Sequence, residues 1–238
     1  MGHVIAVSGK GGVGKTTLCG LLIQYLCESG KCPVLAVDAD ANANLNEVLG
    51  VEPEITLGEL REEIERAGVD SRYQIPSGMT KQAYLEMRLS DAIAEEDDYD
   101  LMVMGRTQGQ GCYCFVNGLV QTQVQKLQSQ YPYIVVDNEA GMEHIRRGVQ
   151  AAGRIAKLMK ELNFKPQKTG LIVNRVPDGK LDAGTLEEIR NQGLELLGVV
   201  PHDNQVYQYD CDGKPIIQLP KDSPVRSALG EIVKKLGL

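Results

Sequence analysis

A glycine-rich segment near the N-terminus constrains this chain more than any other feature of its sequence. Residues 9–17 read GKGGVGKTT and fit the pattern GxxxxGK(S/T), whose loops bind phosphate groups. The apolar run at residues 3–7 predicts a strand directly before the segment, and the pattern at residues 15–28 predicts a helix directly after it. Strand, loop and helix in this order are the context that such a loop requires. The segment therefore predicts a loop that holds phosphate at the N-terminus of a helix.

The residue types in this segment match the chemistry of a bound nucleotide. Glycines let backbone N–H groups turn inward around phosphate oxygens. Lys15 is expected to reach the β- and γ-phosphates, and the hydroxyl group of Thr16 is expected to ligate Mg²⁺. The residues expected to contact the phosphates are Gly9, Gly11, Gly12, Val13, Gly14, Lys15, Thr16 and Thr17. These residues predict a site for a nucleotide and its magnesium ion.

Short β-branched runs alternate with helical patterns along the rest of the chain. This alternation is typical of a parallel sheet whose strands are joined by crossover helices. The predicted strands lie at residues 3–7, 33–37, 100–104, 133–137, 169–174 and 196–200, and the predicted helices at residues 15–28, 115–129, 142–162, 185–192 and 223–235. A charged, mostly helical stretch at residues 54–96 is interpreted as an excursion between strands. No linker divides the sequence, so we expect one α/β domain over residues 1–238, with a mostly parallel sheet and helices on both faces.

Composition and charge argue against several classes of protein. Hydrophobic residues make up 42% of the chain and charged residues 24%, which is ordinary for a folded globular protein. The formal net charge of −7 argues against a partner held through phosphate contacts, so no nucleic acid is expected. No apolar run reaches the ~18 residues that a membrane-spanning helix needs, and the first residues carry no pattern of an export signal. We therefore expect a cytoplasmic protein with no membrane partner and with its cysteines reduced.

Acidic residues follow two of the predicted strands. Asp38 and Asp40 lie in the segment DADAN after the second strand, and Asp137 ends the run IVVD. Open α/β sheets bind their ligands at the carboxyl ends of the strands, and phosphoryl transfer needs carboxylates near its metal ion. The alternative is that an aspartate directly after a strand only caps the next helix. The first interpretation assigns all three carboxylates to the nucleotide site.

A second lysine, Lys10, lies inside the glycine-rich loop, although the general pattern does not require one. With this lysine the segment resembles the deviant-loop ATPases that include MinD, ParA, the arsenite pump and the nitrogenase iron protein. The resemblance implies a P-loop ATPase fold and a homodimer that encloses ATP or ADP with Mg²⁺, in which Lys10 reaches the phosphates bound by the partner subunit. A cation supplied in this way would act like an arginine finger. The alternative is a solvated loop lysine.

The same resemblance implies roles for the acidic residues. Asp40 would orient or activate the attacking water, Asp38 would support the magnesium sphere, and Asp137 would hold Mg²⁺ through water. The segment DNEAG at residues 137–141 resembles the second switch of these proteins, in which a backbone N–H near Gly141 senses the γ-phosphate. The catalytic residues that the resemblance implies are Lys10, Lys15 and Asp40.

Adenine recognition is implied for two further segments. Asn174 and Arg175 end one predicted strand, at the position where the family reads the base with an asparagine amide. Pro201, His202 and Asp203 follow the next strand and resemble the segment that stacks on the base. For His202, an ordinary turn position is an equal alternative.

A pair of cysteines, Cys112 and Cys114, distinguishes this chain from a general ATPase of that superfamily. They are predicted to lie in a Gly-rich loop at residues 105–118, where thiols one residue apart can point to the same side of an extended segment and bind one soft ion. A tetrahedral zinc or nickel thiolate site needs four ligands, and a two-fold axis would supply the other two. The alternative is a pair of ordinary loop cysteines that are sensitive to oxidation.

Together, the loop with Lys10, the segment NEAG and the cysteine pair resemble the CooC-type maturation ATPases of nickel carbon monoxide dehydrogenase and acetyl-CoA synthase. This resemblance extends over nearly the whole chain. It implies that Cys112 and Cys114 of two subunits hold Ni²⁺ or Zn²⁺ at the dimer interface. It also implies hydrolysis of ATP to ADP and phosphate, and a partner that is the apoenzyme of one of those two enzymes. Two alternatives remain: a MinD-like membrane-positioning switch anchored by residues 223–238, and an iron–sulfur carrier like the nitrogenase iron protein.

The chain departs from that family after Gly141. Relatives continue through a short helix and another strand, whereas here Ile145 runs directly into the segment RRGVQ at residues 146–150. A strand with its flanking turns is therefore missing from the family pattern. Either the protein has a true deletion or the sequence omits a segment. We favour omission, which predicts that the Cα atoms of Ile145 and Arg146 lie farther apart than the ~3.8 Å of consecutive residues.

Overall fold

The computed structural model of the chain describes residues 2–9, 12–40, 42–67, 74–106, 112–138, 149–150, 152–153, 155–157 and 166–238. The chain divides into two compact units. One comprises Met1–Val7 and Leu26–Asn138, and the other comprises Ser8–Tyr25 and Glu139–Leu238. The expectation of a single domain over residues 1–238 stays a prediction.

The first unit is built on a five-stranded sheet with the strand order β1-β5-β2-β4-β3. Its strands are β1 (His3–Val7), β2 (Val34–Ala39), β3 (Ile93–Glu95), β4 (Tyr99–Val103) and β5 (Tyr133–Asn138). The neighbouring strands are parallel, except that β3 runs antiparallel to β4. The carboxyl ends of the four parallel strands therefore lie at one edge of the sheet.

The sequence explains why β2 lies at the centre of this sheet. The strand reads VLAVDA and is buried at every position. A nearly continuous apolar run fits a strand that is covered on both faces, as the strands of parallel sheets are. In contrast, β1 reads HVIAV and its Val4 is 43% exposed. The sheet thus has a fully buried centre and a partly exposed edge at β1.

Helix α1 (Lys15–Glu28) begins in the second unit and ends in the first. Within the first unit, further helices connect the strands: α2 (Leu45–Leu49), α3 (Leu57–Arg66), α4 (Lys81–Arg88) and α5 (Cys112–Leu127). At the start of α3, the hydroxyl of Thr56 accepts the backbone N–H of Glu59 at 3.2 Å, and the Glu59 carboxylate accepts the backbone N–H of Thr56 at 2.9 Å. This capping box explains why α3 begins there.

One apolar cluster of the first unit lies between the sheet and its helices. Its buried members are Leu35, Val37, Ala39, Leu57, Leu60, Leu89, Ala92, Met102, Met104, Val116, Val120, Ile134 and Val136. Strands β2, β4 and β5 and helices α3 and α5 all contribute to it. This packing holds the helices against the sheet. Asp38 and Asp137 lie near the carboxyl ends of two of its strands, β2 and β5.

The second unit contains the parallel strands β6 (Leu171–Val176) and β7 (Leu196–Pro201). Helix α6 (Ala183–Asn191) follows β6, and helices α7 (Asn204–Cys211) and α8 (Pro224–Leu236) follow β7. The apolar stripe of α8 is buried and consists of Val225, Leu229, Ile232 and Val233. Ile232 lies so close to Gly198 of β7 that a side chain at that glycine would collide with it.

The predicted α/β fold with a mostly parallel sheet is confirmed. All six predicted strands are present, with their ends shifted by at most two residues. β3 was not predicted, because it has three residues and depends on its pairing with β4. Of the predicted helix 142–162, residues 149–150, 152–153 and 155–157 are helical; the rest of it, and the predicted gap between Ile145 and Arg146, lie outside the described residues. Among the described residues, no helix has the length and apolarity that crossing a bilayer requires.

Candidate functional site

The glycine-rich segment forms the connection between β1 and α1. Its described part turns at two glycines, with φ of +73° at Gly12 and +84° at Gly14. These values lie in the left-handed region, which glycine adopts freely and other residues adopt under strain. The Leu18 backbone N–H then donates to the Gly14 carbonyl at 3.0 Å, so helical bonding starts directly after the loop. Lys10 and Gly11 lie outside the described residues.

Lys15 is the first residue of α1 and runs back beside the loop. Its side chain is almost completely enclosed, because the residue is only 8% exposed. A Cβ at Gly9 would lie 3.7 Å from Lys15 Cδ, which is an ordinary van der Waals contact. Thr16 and Thr17 are half-buried in the same helical turn. A cation beside a glycine-rich loop at a helix N-terminus suits the phosphates of a nucleotide.

Two side chains at the end of β6 hold the backbone of this loop. The Asn174 amide donates to the Val13 carbonyl at 2.9 Å, and the Arg175 guanidinium donates to the Gly12 carbonyl at 3.0 Å. A Cβ at Gly14 would lie 2.7 Å from Asn174 Nδ2, closer than such atoms normally approach. This close approach and the positive φ together favour glycine at position 14. These two bonds hold the described part of the loop in a turned conformation, which suits the binding of phosphate groups.

Arg175 holds this position with an unusual backbone. Its φ is +57°, which is uncommon for a residue other than glycine. The backbone N–H of Arg175 donates to the Asn174 side-chain oxygen at 2.8 Å. The amide of Asn174 thus uses its oxygen on the backbone and an N–H on the loop. Adenine recognition by Asn174 and Arg175 stays a prediction.

The segment predicted to stack on adenine follows β7, whose last residue is Pro201. His202 is exposed, and its Nε2 lies 3.2 Å from Asn204 Oδ1. Asp203 caps α7 by accepting a backbone N–H at 2.8 Å, and it also accepts the hydroxyl of Ser223 at 2.8 Å. The carboxylate of Asp203 therefore stabilises the start of α7. Stacking of this segment on a base stays a prediction.

Asp38 and Asp137 are register partners on β2 and β5. They are 0% and 2% exposed. The Asp38 carboxylate accepts the backbone N–H groups of Asp40 at 3.0 Å and Leu45 at 2.8 Å. Burial raises the pKa of Asp38 to about 6, although these hydrogen bonds lower it, and the neighbouring Asp137 raises it further. Two adjacent carboxyl groups of this kind are suitable oxygen ligands for Mg²⁺.

The hydrogen bond from the Leu45 backbone N–H to Asp38 also stabilises a helix. Leu45 is the first residue of α2, so Asp38 also stabilises the N-terminus of a helix, as the alternative interpretation predicted. The predicted second switch starts at the end of β5, where the Asn138 amide donates to the Val7 carbonyl at 3.4 Å. Residues 139–141, including Gly141, lie outside the described residues.

Asp40 lies one residue beyond β2 and is half-buried. Its Oδ1 accepts the backbone N–H of Asn42 at 2.8 Å and the side-chain amide of Asn42 at 3.2 Å. Asn42 Oδ1 in turn accepts a hydrogen bond from Arg106 Nη2 at 3.5 Å. Neither Asn42 nor Arg106 was predicted, because no local pattern connects two residues that are 64 positions apart.

The cysteine pair lies in the first turn of α5, which begins at Cys112. The expectation that Cys112 and Cys114 belong to an extended loop is therefore wrong, and so is the predicted helix start at residue 115. The argument from an extended segment therefore does not apply to these two positions. The physical reason is packing, because Val116 and Val120 are buried in the core and hold this end of α5 in helical form. Within the described residues, no group of three or more His, Cys, Asp or Glu side chains could hold a metal ion.

Comparison with known proteins agrees with the geometry of the loop. The family model of the CobQ/CobB/MinD/ParA nucleotide binding domain matches residues 4–216. An uncharacterized ATP-binding protein of Methanocaldococcus jannaschii is 38% identical over 256 aligned residues, which cover 98% of this chain and 98% of that protein. The carbon monoxide dehydrogenase accessory protein CooC of Rhodospirillum rubrum is 31% identical over 235 residues, which cover 89% of this chain and 87% of that protein.

Solved structures share the fold. The cell division ATPase MinD of Pyrococcus furiosus has a TM-score of 0.69 at 22% identity, with 100% of this chain and 99% of that chain covered. The septum site-determining protein MinD of Pyrococcus horikoshii, complexed with Mg-ADP, has a TM-score of 0.69 at 21% identity, with 99% and 96% covered. These structures confirm the predicted P-loop fold. The prediction of an ATPase is likewise confirmed, and the chain belongs to the CobQ/CobB/MinD/ParA nucleotide-binding domain family.

Proposed function

We propose that the chain is a homodimeric ATPase that assists the insertion of nickel into carbon monoxide dehydrogenase or acetyl-CoA synthase. The observation that carries this proposal is the cysteine pair, Cys112 and Cys114, at the start of α5. Helix α5 follows β4, which is the direct neighbour of β2, the strand that leads into Asp38 and Asp40. The pair therefore belongs to a connection beside the acidic edge of the sheet. Similarity to CooC of Rhodospirillum rubrum supports the same function.

Nickel is the cargo in this proposal, and the two thiolates of one chain are half of its ligand set. Thiolates are soft ligands that suit such metal ions better than carboxylates do. A tetrahedral thiolate site needs four sulfur atoms, at about 2.3 Å from the ion in the case of zinc. Two chains related by a two-fold axis each contribute two. One metal ion per dimer follows, and metal binding and dimerisation strengthen each other by the same factor.

The hydrolytic cycle uses the phosphate loop and the carboxylates. Lys15 neutralises the phosphates bound by its own subunit, Asp40 orients the attacking water, and Lys10 acts on the nucleotide of the partner subunit. The residues that would hold Mg²⁺ are Thr16, Asp38 and Asp137. The magnesium ion supplies charge neutralisation at the phosphates when it is bound. Hydrolysis then changes the geometry of the dimer and thereby loads or releases the metal cargo.

A MinD-like membrane-positioning switch is less well supported, although MinD of Bacillus subtilis is 27% identical over 249 residues. Such a switch needs an amphipathic anchor, and residues 223–238 were the candidate. The apolar side chains of α8 are buried within their own unit, with Leu229 at 3% and Val233 at 1% exposure. They are therefore already used for packing. A positioning switch also gives no function to the cysteine pair.

The test is metal analysis of anaerobically purified protein, with and without ADP or ATP. The wild-type protein should retain one Ni²⁺ or Zn²⁺ per dimer, and the double variant Cys112→Ala/Cys114→Ala should retain none and dimerise no more strongly with metal. Its ADP affinity should stay unchanged, because the phosphate loop is a separate element. A matched control is Cys32→Ala/Cys211→Ala, which removes two exposed cysteines elsewhere and should behave as wild type. Unchanged metal binding by the first variant would overturn the proposal, and a brown chromophore would favour the iron–sulfur alternative.

A further inference from the structure

We propose that Arg106 is a positioning residue that orients Asp40 through Asn42. Arg106 follows β4 in the segment that leads to α5. The inference rests on the role proposed for Asp40 in hydrolysis, and it is argued only from the contacts of described residues.

Asn42 is the middle member of this chain of contacts. Both N–H groups that it offers to Asp40, one from the backbone and one from the amide, reach the same oxygen, Oδ1, at 2.8 and 3.2 Å. Its own side-chain oxygen accepts from Arg106 at 3.5 Å. A guanidinium group has donors only, so it can face only the oxygen end of the amide. Arg106 therefore selects the amide orientation that points the NH₂ group at Asp40.

Backbone hydrogen bonds and a tight turn fix the two residues before Arg106. The Met104 N–H donates to the Asp38 carbonyl at 2.8 Å, and the Met104 carbonyl accepts from Gly58 at 2.9 Å. At Gly105 φ is +69°, and a Cβ there would lie 2.5 Å from Thr56 Oγ1 and 2.6 Å from Thr56 Cβ. The chain therefore turns tightly against Thr56, the residue directly before α3. The side chain of Arg106 therefore extends from a turn that is held by the bond between Met104 and Asp38.

The loss of Arg106 should release the Asn42 amide. A rotated amide would present its oxygen to the Asp40 carboxylate, which is a repulsive arrangement, and Asp40 would then lose one of two donors. The carboxylate would remain near the site but with less defined orientation. Since misplacement of a reacting group lowers turnover more than binding, the effect should appear in kcat and not in KM.

The test is a double-mutant cycle in ATPase assays of this chain. Arg106→Ala and Asn42→Ala should each lower kcat about tenfold, with KM for Mg-ATP changed by less than about twofold. The double variant should be no slower than Asn42→Ala alone, because Arg106 acts only through Asn42. Arg106→Lys should recover part of the activity, and Arg190→Ala, an exposed arginine on α6, should behave as wild type. Additive losses, or no loss in Arg106→Ala, would overturn the positioning role.

Discussion

Asp38 and Asp137 are direct register partners on the adjacent parallel strands β2 and β5, and both residues are almost completely buried. Removal of a carboxylate from water is costly unless hydrogen bonds or a cation compensate it. Two backbone N–H groups bond to Asp38, yet burial still raises the pKa of this residue to about 6. Asp38 therefore makes the stability of the metal-free protein sensitive to pH up to about 6.

The first prediction concerns this pH dependence. The pKa of Asp38 is about 6 in the folded protein and lies near its ordinary value of 3.8 in the unfolded chain. The folded state thus binds the extra proton, and this stabilisation is complete below pH ~4 and is lost as the pH rises through 6. The contribution is on the order of 2 to 3 kcal/mol.

Urea unfolding in EDTA at several pH values between 4 and 7 measures this contribution. The free energy of unfolding of Asp38→Asn should depend on pH less steeply than that of wild type, since an amide does not titrate. Asp212→Asn, at an exposed carboxylate, is the matched control and should keep the wild-type slope in this range. Equal slopes for Asp38→Asn and wild type would contradict the assignment.

The second prediction separates two reasons for glycine at position 14. Gly14→Ala combines a positive φ of +84° with a Cβ only 2.7 Å from Asn174 Nδ2, so ATP affinity should fall at least tenfold. Gly213→Ala is a matched control, because φ there is +62° but no atom lies within 4 Å of the new Cβ. It should lose about 1 kcal/mol of stability and no affinity. Isothermal titration with ATP measures both variants, and equal affinities would show that the contact with Asn174 is unimportant.

The third prediction concerns Arg175, which has a φ of +57° and bonds to the Gly12 carbonyl. Arg175→Ala keeps the strained backbone and loses the bond, whereas Arg175→Gly loses the bond and relieves the strain. Both should bind ATP about fivefold to tenfold more weakly, since one hydrogen bond to the loop is lost. Arg175→Gly should be more stable than Arg175→Ala by about 1 kcal/mol in thermal unfolding. The reverse order of stability would argue against backbone strain at this residue.

The fourth prediction tests the two lysines of the loop. Lys15→Ala should impair both ATP binding and hydrolysis, because Lys15 acts in its own subunit. Lys10→Ala should keep ADP affinity within about threefold and lose at least 100-fold in kcat, as expected of a cation supplied by the partner subunit.

Mixing the subunits provides the decisive control. In a dimer of Lys10→Ala with Asp40→Ala, one site has both Asp40 and the Lys10 of the partner subunit, and the other site has neither. A 1:1 mixture should therefore recover about one quarter of wild-type activity if subunits pair at random. No recovery, or full activity of Lys10→Ala alone, would exclude the action of Lys10 across the dimer.

Features with a local signal were predictable from the sequence. The segment GKGGVGKTT, the apolar run before it and the helical pattern after it predict β1, the loop and α1 without any tertiary information. The first turn of α5 was missed, because glycine followed by Cys, Tyr, Cys and Phe has little helical propensity. Burial of Val116 and Val120 outweighs that propensity, and burial is a property of the assembled core.

Contacts between distant segments were the other part that sequence reasoning missed. The hydrogen bond from Asn174 to Val13, a residue 161 positions earlier, was not predicted, and adenine recognition by Asn174 stays a prediction. The contact between Asn42 and Arg106 likewise depends on the neighbouring positions of β2 and β4. A residue type and its position in a strand predict that a side chain lies at the functional edge. They do not predict which backbone group the side chain meets there.

The position of β1 at the edge of the sheet has a consequence for the order of folding during synthesis. Among the described strands β1 pairs with β5 alone, and His3 is the register partner of Tyr133, about 130 residues later. Strands β2 and β4 pair over a much shorter stretch of chain and can form as soon as Val103 has left the ribosome. Strand β1 must therefore wait without one of the described partners until β5 inserts between it and β2. Because the glycine-rich loop starts from β1, we expect the loop to bind nucleotide only after β5 has been made.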